Sequence, residues 1–272
     1  MWIAPGGGVA VTARAGDIIV IKVGGSTLGE GDSTTPDIVE LWRRGLKPVV
    51  VHGGGKVISD WVRKQGIQPE FVRGLRKTDR ATLDVAVAVL AGLVNSEIVA
   101  EVIAAGGKAI GISGVSGAML RAEVLGPELG LVGKIVATDP SPVIAILNSG
   151  AIPVIAPTAI HVDPAHAGDA RILNINADTS AGHLARALKA KQLVFQTDVE
   201  GVLDATRRLI PRMTRRQARE LIDSGVAGGG MIPKIAACLH AVSHGVGSAH
   251  LLDGRLPHVL LLELFSDEGI GT

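Results

Sequence analysis

The sequence predicts an α/β fold: a three-layer αβα sandwich around an open, mostly parallel sheet, in two lobes. Three observations carry that prediction. Short β-branched runs alternate with stretches of helical spacing along most of the 272 residues, the pattern of a parallel sheet covered by helices. The 36 glycines follow no collagen-like period, and many sit just after apolar runs, as in α/β loops. Hydrophobic residues make up 47% of the chain but aromatics only 2%, so a sizeable core has to be built from Ala, Val, Leu and Ile.

Taken in order, residues 1–16 read as a loose arm, with Pro5 and a run of glycines. "DIIVIKV" (17–23) is a buried strand. "PDIVELWRRG" (36–45) has helical spacing, with Pro in the first turn and Gly at the end. "KPVVVH" (47–52) is the next strand, and the helix after it gathers Val57, Ile58, Trp61 and Val62 on one face and stops at Gly66. Residues 81–107 are a long helical stretch with an interruption expected near Gly92, followed by the strand 108–113 and a β-hairpin or flap over 119–139. A helix over 141–150, a strand over 151–157 and a loop lead to "NINAD" (174–178) and a helix over 179–190. The strand 192–197 precedes a helix over 214–225, capped by Thr214, and "GGGMIPK" opens a helix that runs to His244. "GSAHLLDG" and "PHVLLLELF" read as late strands. No low-complexity linker divides the chain; the lobes are expected over 17–175 and 176–272.

Bulk properties narrow the function. With 27 basic and 26 acidic residues, no basic run of five and few aromatics for base stacking, nucleic-acid binding is not expected. The single Cys238 rules out an internal disulfide framework, fits a reducing cytoplasm and, in an apolar helical pattern, reads as a buried inert thiol. Apolar stretches are broken well short of the ~18 residues a membrane span needs. The first residues lack the basic and apolar regions of a signal peptide.

The string "VVVHGGGK" (49–56) raises the chemical question. An esterase oxyanion strip would need a G-x-S-x-G pentad elsewhere, and none occurs. A Walker A loop would need Ser or Thr after Gly-Lys; the pairs at 55–56, 107–108 and 133–134 are followed by Val, Ala and Ile. "GGGKVI" also lacks the last glycine of a dinucleotide fingerprint. What survives is physical: glycines between a strand end and a helix start leave N–H groups bare, and the helix dipole favours an anion there. "KVGGS" (22–26) and "AGGGMIPK" (227–234) repeat the device. Lys234, in a first turn, opposes its helix dipole unless an anion is shared with it. Lys22 ends an apolar strand, where a lone ammonium is costly. In "NINAD", helix capping explains the Asn and Asp cheaply, though Asp178 could equally hold two lysines around a phosphate.

These strings, together with "GLRKTD", "GLVNSEIV", "GLVGKI", "IPVIAP", "TDVEGVL", "DGRLPH" and "LLELFSDEGIGT", occur in the order seen in N-acetyl-L-glutamate kinases. The chain resembles that branch of the amino-acid kinase superfamily over about residues 17–272. The resemblance implies ATP-dependent phosphorylation of the side-chain carboxylate of N-acetyl-L-glutamate, the second step of the acetylated arginine pathway, with Mg²⁺ arriving on ATP. It implies an eight-stranded type of sheet, an N-terminal lobe for the amino-acid substrate and dimer contact, and a C-terminal lobe for nucleotide. Carried over by motif, Lys22 and Lys234 neutralise the transferring phosphoryl group and Asp178 orients both. Gly24, Gly25 and Gly54 offer N–H groups to phosphate; Gly54 and Gly55 border the acyl substrate. Arg76 clamps its α-carboxylate, and Asn174 and Asn176 belong to the same substrate site. Thr197, Asp198, Val199, Gly201, Gly228, Gly229 and Met231 line the nucleotide site.

Other polar residues get plainer roles. His52 is expected to pack or to bond backbone, Lys56 to be a solvated helix start, His161 and His166 to lie in a polar loop without binding a ligand, and His258 to be structural. The resemblance implies a homodimer. Members inhibited by arginine form hexamers through an extra N-terminal helix; residues 1–16 do not read as one, whereas the tail from Asp253 resembles the inhibited type, so a dimer with weak or no arginine inhibition is expected. The rivals are a kinase of carrier-linked aminoadipate in lysine biosynthesis, whose members read GGS where this chain has GGG, and a non-catalytic sensor on the same fold, which loss of Lys22, Asp178 or Lys234 would have favoured.

Overall fold

The computed structural model describes residues 13–24, 33–163, 170–265 and 270–272. Most of the arm, residues 1–12, lies outside them.

Strand β1 (Ile18–Val23) starts the chain's core, and α1 (Thr34–Arg43) follows. Then come β2 (Lys47–His52), α2 (Gly55–Lys64) and a two-stranded hairpin of β3 (Phe71–Val72) and β4 (Leu75–Arg76). Residues 80–104 form one continuous helical run: α3 (Arg80–Val87), a π-helical segment over 88–94, and α4 (Asn95–Ala104). The chain goes on through β5 (Ala109–Ser113), β6 (Leu120–Val124), β7 (Gly133–Thr138), α5 (Ser141–Asn148), β8 (Ile152–Ala156), β9 (Thr158–His161) and β10 (Ile172–Asn174). It closes with α6 (Ala177–Ala187), β11 (Gln192–Thr197), α7 (Arg215–Asp223), α8 (Met231–Ser243), β12 (Ser248–Asp253) and α9 (Val259–Phe265).

Six strands pair in parallel in the order β12-β11-β1-β2-β8-β5. Side chains alternate across this sheet. Val20, Val49, Val51, Leu193 and Phe195 join one core with Leu184 of α6 and Ile235 of α8. Ile19, Ile21, Val50 and Val194 join another with α1, α2, the 80–104 run and α9. Two covered faces make the αβα sandwich. A second sheet, β10-β9-β6-β7, packs its Leu120, Ala122, Ile135 and Leu173 into the first of these cores.

Several expectations change. The strands divide into this six-stranded sheet and a separate four-stranded one, rather than one eight-stranded sheet. "PHVLLLELF" is helix, not strand: Val259, Leu260 and Leu264 are buried together on one side of α9, and a continuous apolar run has no period to separate the two. Gly92 does not break its helix; the ladder widens to π spacing around it. With that join the 80–104 run becomes 25 residues long and apolar enough by composition to cross a membrane. Here it packs one side on β5, β8 and α1. His161 lies in β9 and bonds the Ala170 carbonyl through Nδ1 at 2.8 Å. Thr214 does cap α7, in a capping box with Gln217.

Gly114 ties the two sheets. It follows β5, its N–H donates to Ala156 O at 3.0 Å, and a Cβ there would fall 1.9 Å from the backbone oxygen of Thr158. Gly114→Ala is therefore expected to cost about 1–3 kcal/mol, as overpacking against unyielding backbone does. A urea melt with the wild-type midpoint would contradict this packing.

Candidate active site

Between β1 and β11 the strand order reverses, and in open α/β sheets ligands bind outside the carboxyl ends at such a point. A cavity of about 330 Å³ opens there, lined by residues of both proposed lobes.

Its floor is a charged cluster. Lys22 shares the β1 face of Val20, towards α6, because strand side chains repeat every two residues. Asp178 stands in the first turn of α6 and Lys234 in the first turn of α8. The two helices approach closely at Gly182, where a Cβ would come 3.1 Å from Ala237 O. One turn nearer both helix N-termini, Lys234 Nζ donates to Asp178 Oδ2 at 2.9 Å. Lys22 Nζ pairs with Asp178 Oδ1, also at 2.9 Å. Lys22 is 8% exposed and Asp178 4%. Burial pushes the Asp178 carboxyl up, but the two lysines outweigh it and hold it below its ordinary 3.8. Burial lowers Lys22 from 10.5, and Lys234 adds to the shift while Asp178 opposes it. Two ammoniums on one carboxylate leave one positive charge uncompensated, a site built for an anion.

A second cation lies at the other end. Arg76 on β4 is 8% exposed. Its Nη2 donates to Gly55 O at 2.7 Å and Ser59 Oγ at 2.8 Å, and its guanidinium covers the Phe71 ring at 4.7 Å. Its Nη1 is buried and finds no partner among the described residues, an unmet donor beside the cavity. Burial, with Arg63 nearby, lowers its pKa. Ser59 was not singled out in the sequence. It lies four residues after Gly55 and is buried on α2, spacing that could have flagged it.

Glycines and helix starts close the walls. Gly24, Gly53, Gly54 and Gly55 line the cavity, as do Asn174, Asn176, Thr197 and Asp198. Asn176 accepts from Thr179 N at 2.9 Å, so its side chain caps α6. Asn174 donates to Thr78 Oγ1 at 3.2 Å. The turn between β3 and β4 reaches the C-terminal part of the chain: a Cβ on Gly74 (φ +79) would lie 3.2 Å from Gly229 O. Lys56 is exposed at the rim, as a solvated helix start should be.

The fold thus brings together Lys22, Lys234, Asp178, Gly24, Gly54, Gly55, Arg76, Asn174, Asn176, Thr197 and Asp198. Val199, Gly228, Gly229 and Met231 lie off the cavity wall: Val199 on the loop beyond β11, Gly228 and Gly229 on the loop before α8, and Met231 at the first position of α8. Gly201 is elsewhere too: at φ +146 it packs where a Cβ would meet Thr272 Oγ1 and Leu209, so packing, not ligand contact, explains its lack of a side chain. Gly25 and His166 lie outside the described residues. His258 bonds Asp37 Oδ1 through Nδ1 at 2.7 Å and ties the β12–α9 loop to α1. Burial, then Asp178, pushes the Cys238 thiol up to about 12, which keeps it inert.

Comparison with known proteins gives concordant findings. Residues 17–253 match the amino acid kinase family. The chain is 46% identical to an acetylglutamate kinase of Caldanaerobacter subterraneus subsp. tengcongensis, over 95% of this chain and 87% of that one. It is 45% identical to an acetylglutamate kinase of a Synechocystis species over the same shares. Among solved structures it resembles N-acetylglutamate synthase from Neisseria gonorrhoeae in complex with coenzyme A and N-acetyl-glutamate, with TM-score 0.81, 26% identity, and coverage of 95% of this chain and 59% of that one.

Removing one member of a buried ion cluster is costly because the others stay charged. Asp178→Ala is expected to lose about 3–5 kcal/mol of stability, part of which sulfate should restore by standing in as the anion. The sign with pH follows from the lowered carboxyl. Asp178 stabilises the fold above its ordinary 3.8 and loses that contribution as pH falls further, through its folded value. Urea midpoints of wild type and variant should therefore differ steadily from pH 5 to 8 and converge below 4. A gap that does not change on acidification would contradict the ionised, paired carboxylate.

Proposed function

The chain belongs to the amino acid kinase family, and from that premise we infer that it is an acetylglutamate kinase. It uses ATP to phosphorylate the side-chain carboxylate of N-acetyl-L-glutamate, giving N-acetyl-L-glutamyl 5-phosphate and ADP, in arginine biosynthesis. The observation that carries the mechanism is the pair of cationic ends of one cavity: Lys22 and Lys234 on Asp178 at one, Arg76 with its unpaired Nη1 at the other.

In our reading, a substrate carboxylate oxygen attacks the γ-phosphorus in line. The new O–P bond forms as the bond to the β-phosphate oxygen breaks, and ADP leaves with that electron pair. No proton has to move, because the nucleophile is already ionised. The protein's task is positioning and charge neutralisation. Lys22 and Lys234 meet the charge on the phosphoryl oxygens and Asp178 holds both ammoniums in place. Gly24 and Gly54 offer backbone N–H groups. Arg76 takes the substrate's α-carboxylate, which its planar fork matches, and Asn174 and Gly55 border the rest; Asn176 contributes by shaping the start of α6. Thr197 and Asp198, with the loop of Val199, the loop of Gly228 and Gly229 and the start of α8 at Met231, receive the nucleotide. Residues 17–175 then supply the amino-acid substrate side and 176–272 the nucleotide side, with one sheet running through both. Mg²⁺ would arrive bound to ATP and supply further charge neutralisation at the phosphates. It would be held by phosphate and water, since both Asp178 oxygens already face lysine. The single thiol fits a reducing cytoplasm.

A homodimer is part of this reading. Strand β5 is an edge of the six-stranded sheet. Around it Ile110 is 39% exposed, Ile103 of the adjoining α4 55% and Leu93 37%. An edge that no described strand pairs, flanked by exposed aliphatics, is a surface that association would cover.

Two measurements test these readings. Purified protein with MgATP and N-acetylglutamate, trapped with hydroxylamine, should yield acyl hydroxamate, and free glutamate and aminoadipate should not. Lys234→Ala should fold yet lose about 10²–10³-fold in kcat, the scale of one lost transition-state donor; no hydroxamate from wild type sinks the assignment. Light scattering after gel filtration should give about twice the 27.9 kDa chain mass, falling to one chain in Ile103→Asp with Ile110→Asp. A wild-type monomer rejects the dimer, and a larger assembly shows contacts beyond this edge.

A further inference from the structure

The glycine cradle rests on a histidine that touches no ligand site directly. His52 ends β2 with no exposed surface. Its Nε2 lies 3.1 Å from Asn95 Nδ2, and its Nδ1 lies 2.9 Å from the carbonyl of the next residue, Gly53. Asn95 Nδ2 also donates to Val154 O at 3.0 Å. An amide NH₂ can only donate, so Nε2 must accept, and the single ring proton belongs on Nδ1, where it donates to Gly53 O. Burial keeps the ring neutral, lowering its pKa to about 4.

The consequence reaches the cavity through peptide geometry. In a trans peptide, C=O and N–H point in opposite directions. The carbonyl of Gly53 and the N–H of Gly54 belong to one peptide. With the carbonyl drawn to the buried ring, that N–H turns away from the interior, towards the cavity that Gly54 lines. Among the described residues no acceptor takes it, whereas Gly53 N–H is committed to Val23 O at 2.9 Å.

Asn95 is itself locked. A Cβ on Gly111 would lie 2.0 Å from Asn95 Oδ1, so the amide occupies the space a side chain on β5 would fill. Asn95 is the first residue after the π-helical segment. The same segment places Leu90 against Gly54, where a Cβ would come within 2.8 Å of Leu90 Cδ2. Such π turns are commonly found where function needs an altered register.

We propose that His52, fixed in its Nδ1–H form by Asn95, is a positioning residue for phosphoryl transfer, aiming the Gly54 N–H at the transferring group. The proposal rests on the acetylglutamate kinase reading. Three variants separate aim from packing. His52→Asn keeps a donor near the Nδ1 position; His52→Gln moves its polar atoms out towards Asn95; His52→Ala removes both. His52→Gln and His52→Ala are expected to lose about 10- to 100-fold in kcat, less than a fully deleted donor costs, with both KM values within about threefold. His52→Asn should stay within about fivefold of wild type. Circular dichroism selects folded variants; if Ala does not fold, the Asn and Gln pair still decides. Long-range ¹H–¹⁵N correlation of wild-type His52 should report a neutral Nδ1–H ring from pH 5.5 to 8.

An Nε2–H ring overturns the proposal whether or not the wild type is active. So does equal slowing by Asn and Gln, or a His52→Ala variant with wild-type kcat. A wild type that makes no hydroxamate from N-acetylglutamate is a different failure, that of the functional reading.

Discussion

Everything in this site depends on one buried carboxylate holding two ammoniums. Asp178 comes from α6, Lys22 from β1 and Lys234 from α8, segments separated by more than 150 residues at the extremes, yet both Nζ–O separations are 2.9 Å. A buried ion pair returns little net stability, because desolvation consumes most of the attraction. The cluster is therefore poorly explained as a device for folding. It makes sense as an arrangement the fold tolerates in order to keep two cations close together and facing a cavity. The hydrophobic sandwich supplies the stability: both faces of the six-stranded sheet are packed with aliphatic side chains, so a few buried charges can be carried.

The parallel sheet is what makes such a cluster easy to assemble. Each βα unit delivers a strand end and a helix start to the same edge. The bare N–H groups and positive dipole ends of α2 and α6 gather around the cavity, and Lys234 reaches it from α8. That field would repel Lys234, which sits in a first turn, were it not for Asp178. Close packing at Gly182 matters here because it sets α6 and α8 side by side at the height where carboxylate and ammonium meet. Packing geometry and electrostatics are one constraint, and substitution at a glycine remote from any ligand would act on the charged cluster.

Much of this was legible in the residues. Lys22 at the end of an apolar strand and Lys234 in a helix first turn are each locally wrong, and such violations mark functional positions. The glycine runs after β1 and β2 and before α8 were equally visible. Periodicity placed β1, β2, β8, β11 and β12 well, because buried strands of that length have few other readings. It failed at "PHVLLLELF", where three leucines in a row satisfy strand and helix alike, and at Gly92, where a π turn absorbs what looked like a break. It also passed over β9 and the β3–β4 hairpin, which are too short to show alternation. The links from Ser59 to Arg76, Asn95 to His52 and Gly182 to Ala237 were beyond reach, since each joins residues far apart in sequence through a contact that no local pattern encodes.

In the proposed reaction the two ends of the cavity would bind anions by different means, and the difference suits the tasks assigned to them. Arg76 is anchored through one nitrogen to Gly55 and Ser59 and stacked on Phe71, leaving its other nitrogen as a fixed donor. A planar, pre-anchored fork suits a carboxylate that stays put during the reaction. Lysine ammoniums are compact point charges with no directional fork, which in the proposed reaction suits a phosphoryl group in transit between two oxygens. Such charges are useful only if they do not relax when the anion is absent. Asp178 already holds both ammoniums with no anion bound, so under the proposed mechanism little reorganisation would be left for the reaction itself. A carboxylate in an anion site looks counterproductive by charge alone. In the proposed mechanism it would lower the affinity for phosphate in every state but fix the geometry that the transition state needs, and weaker product binding would favour release.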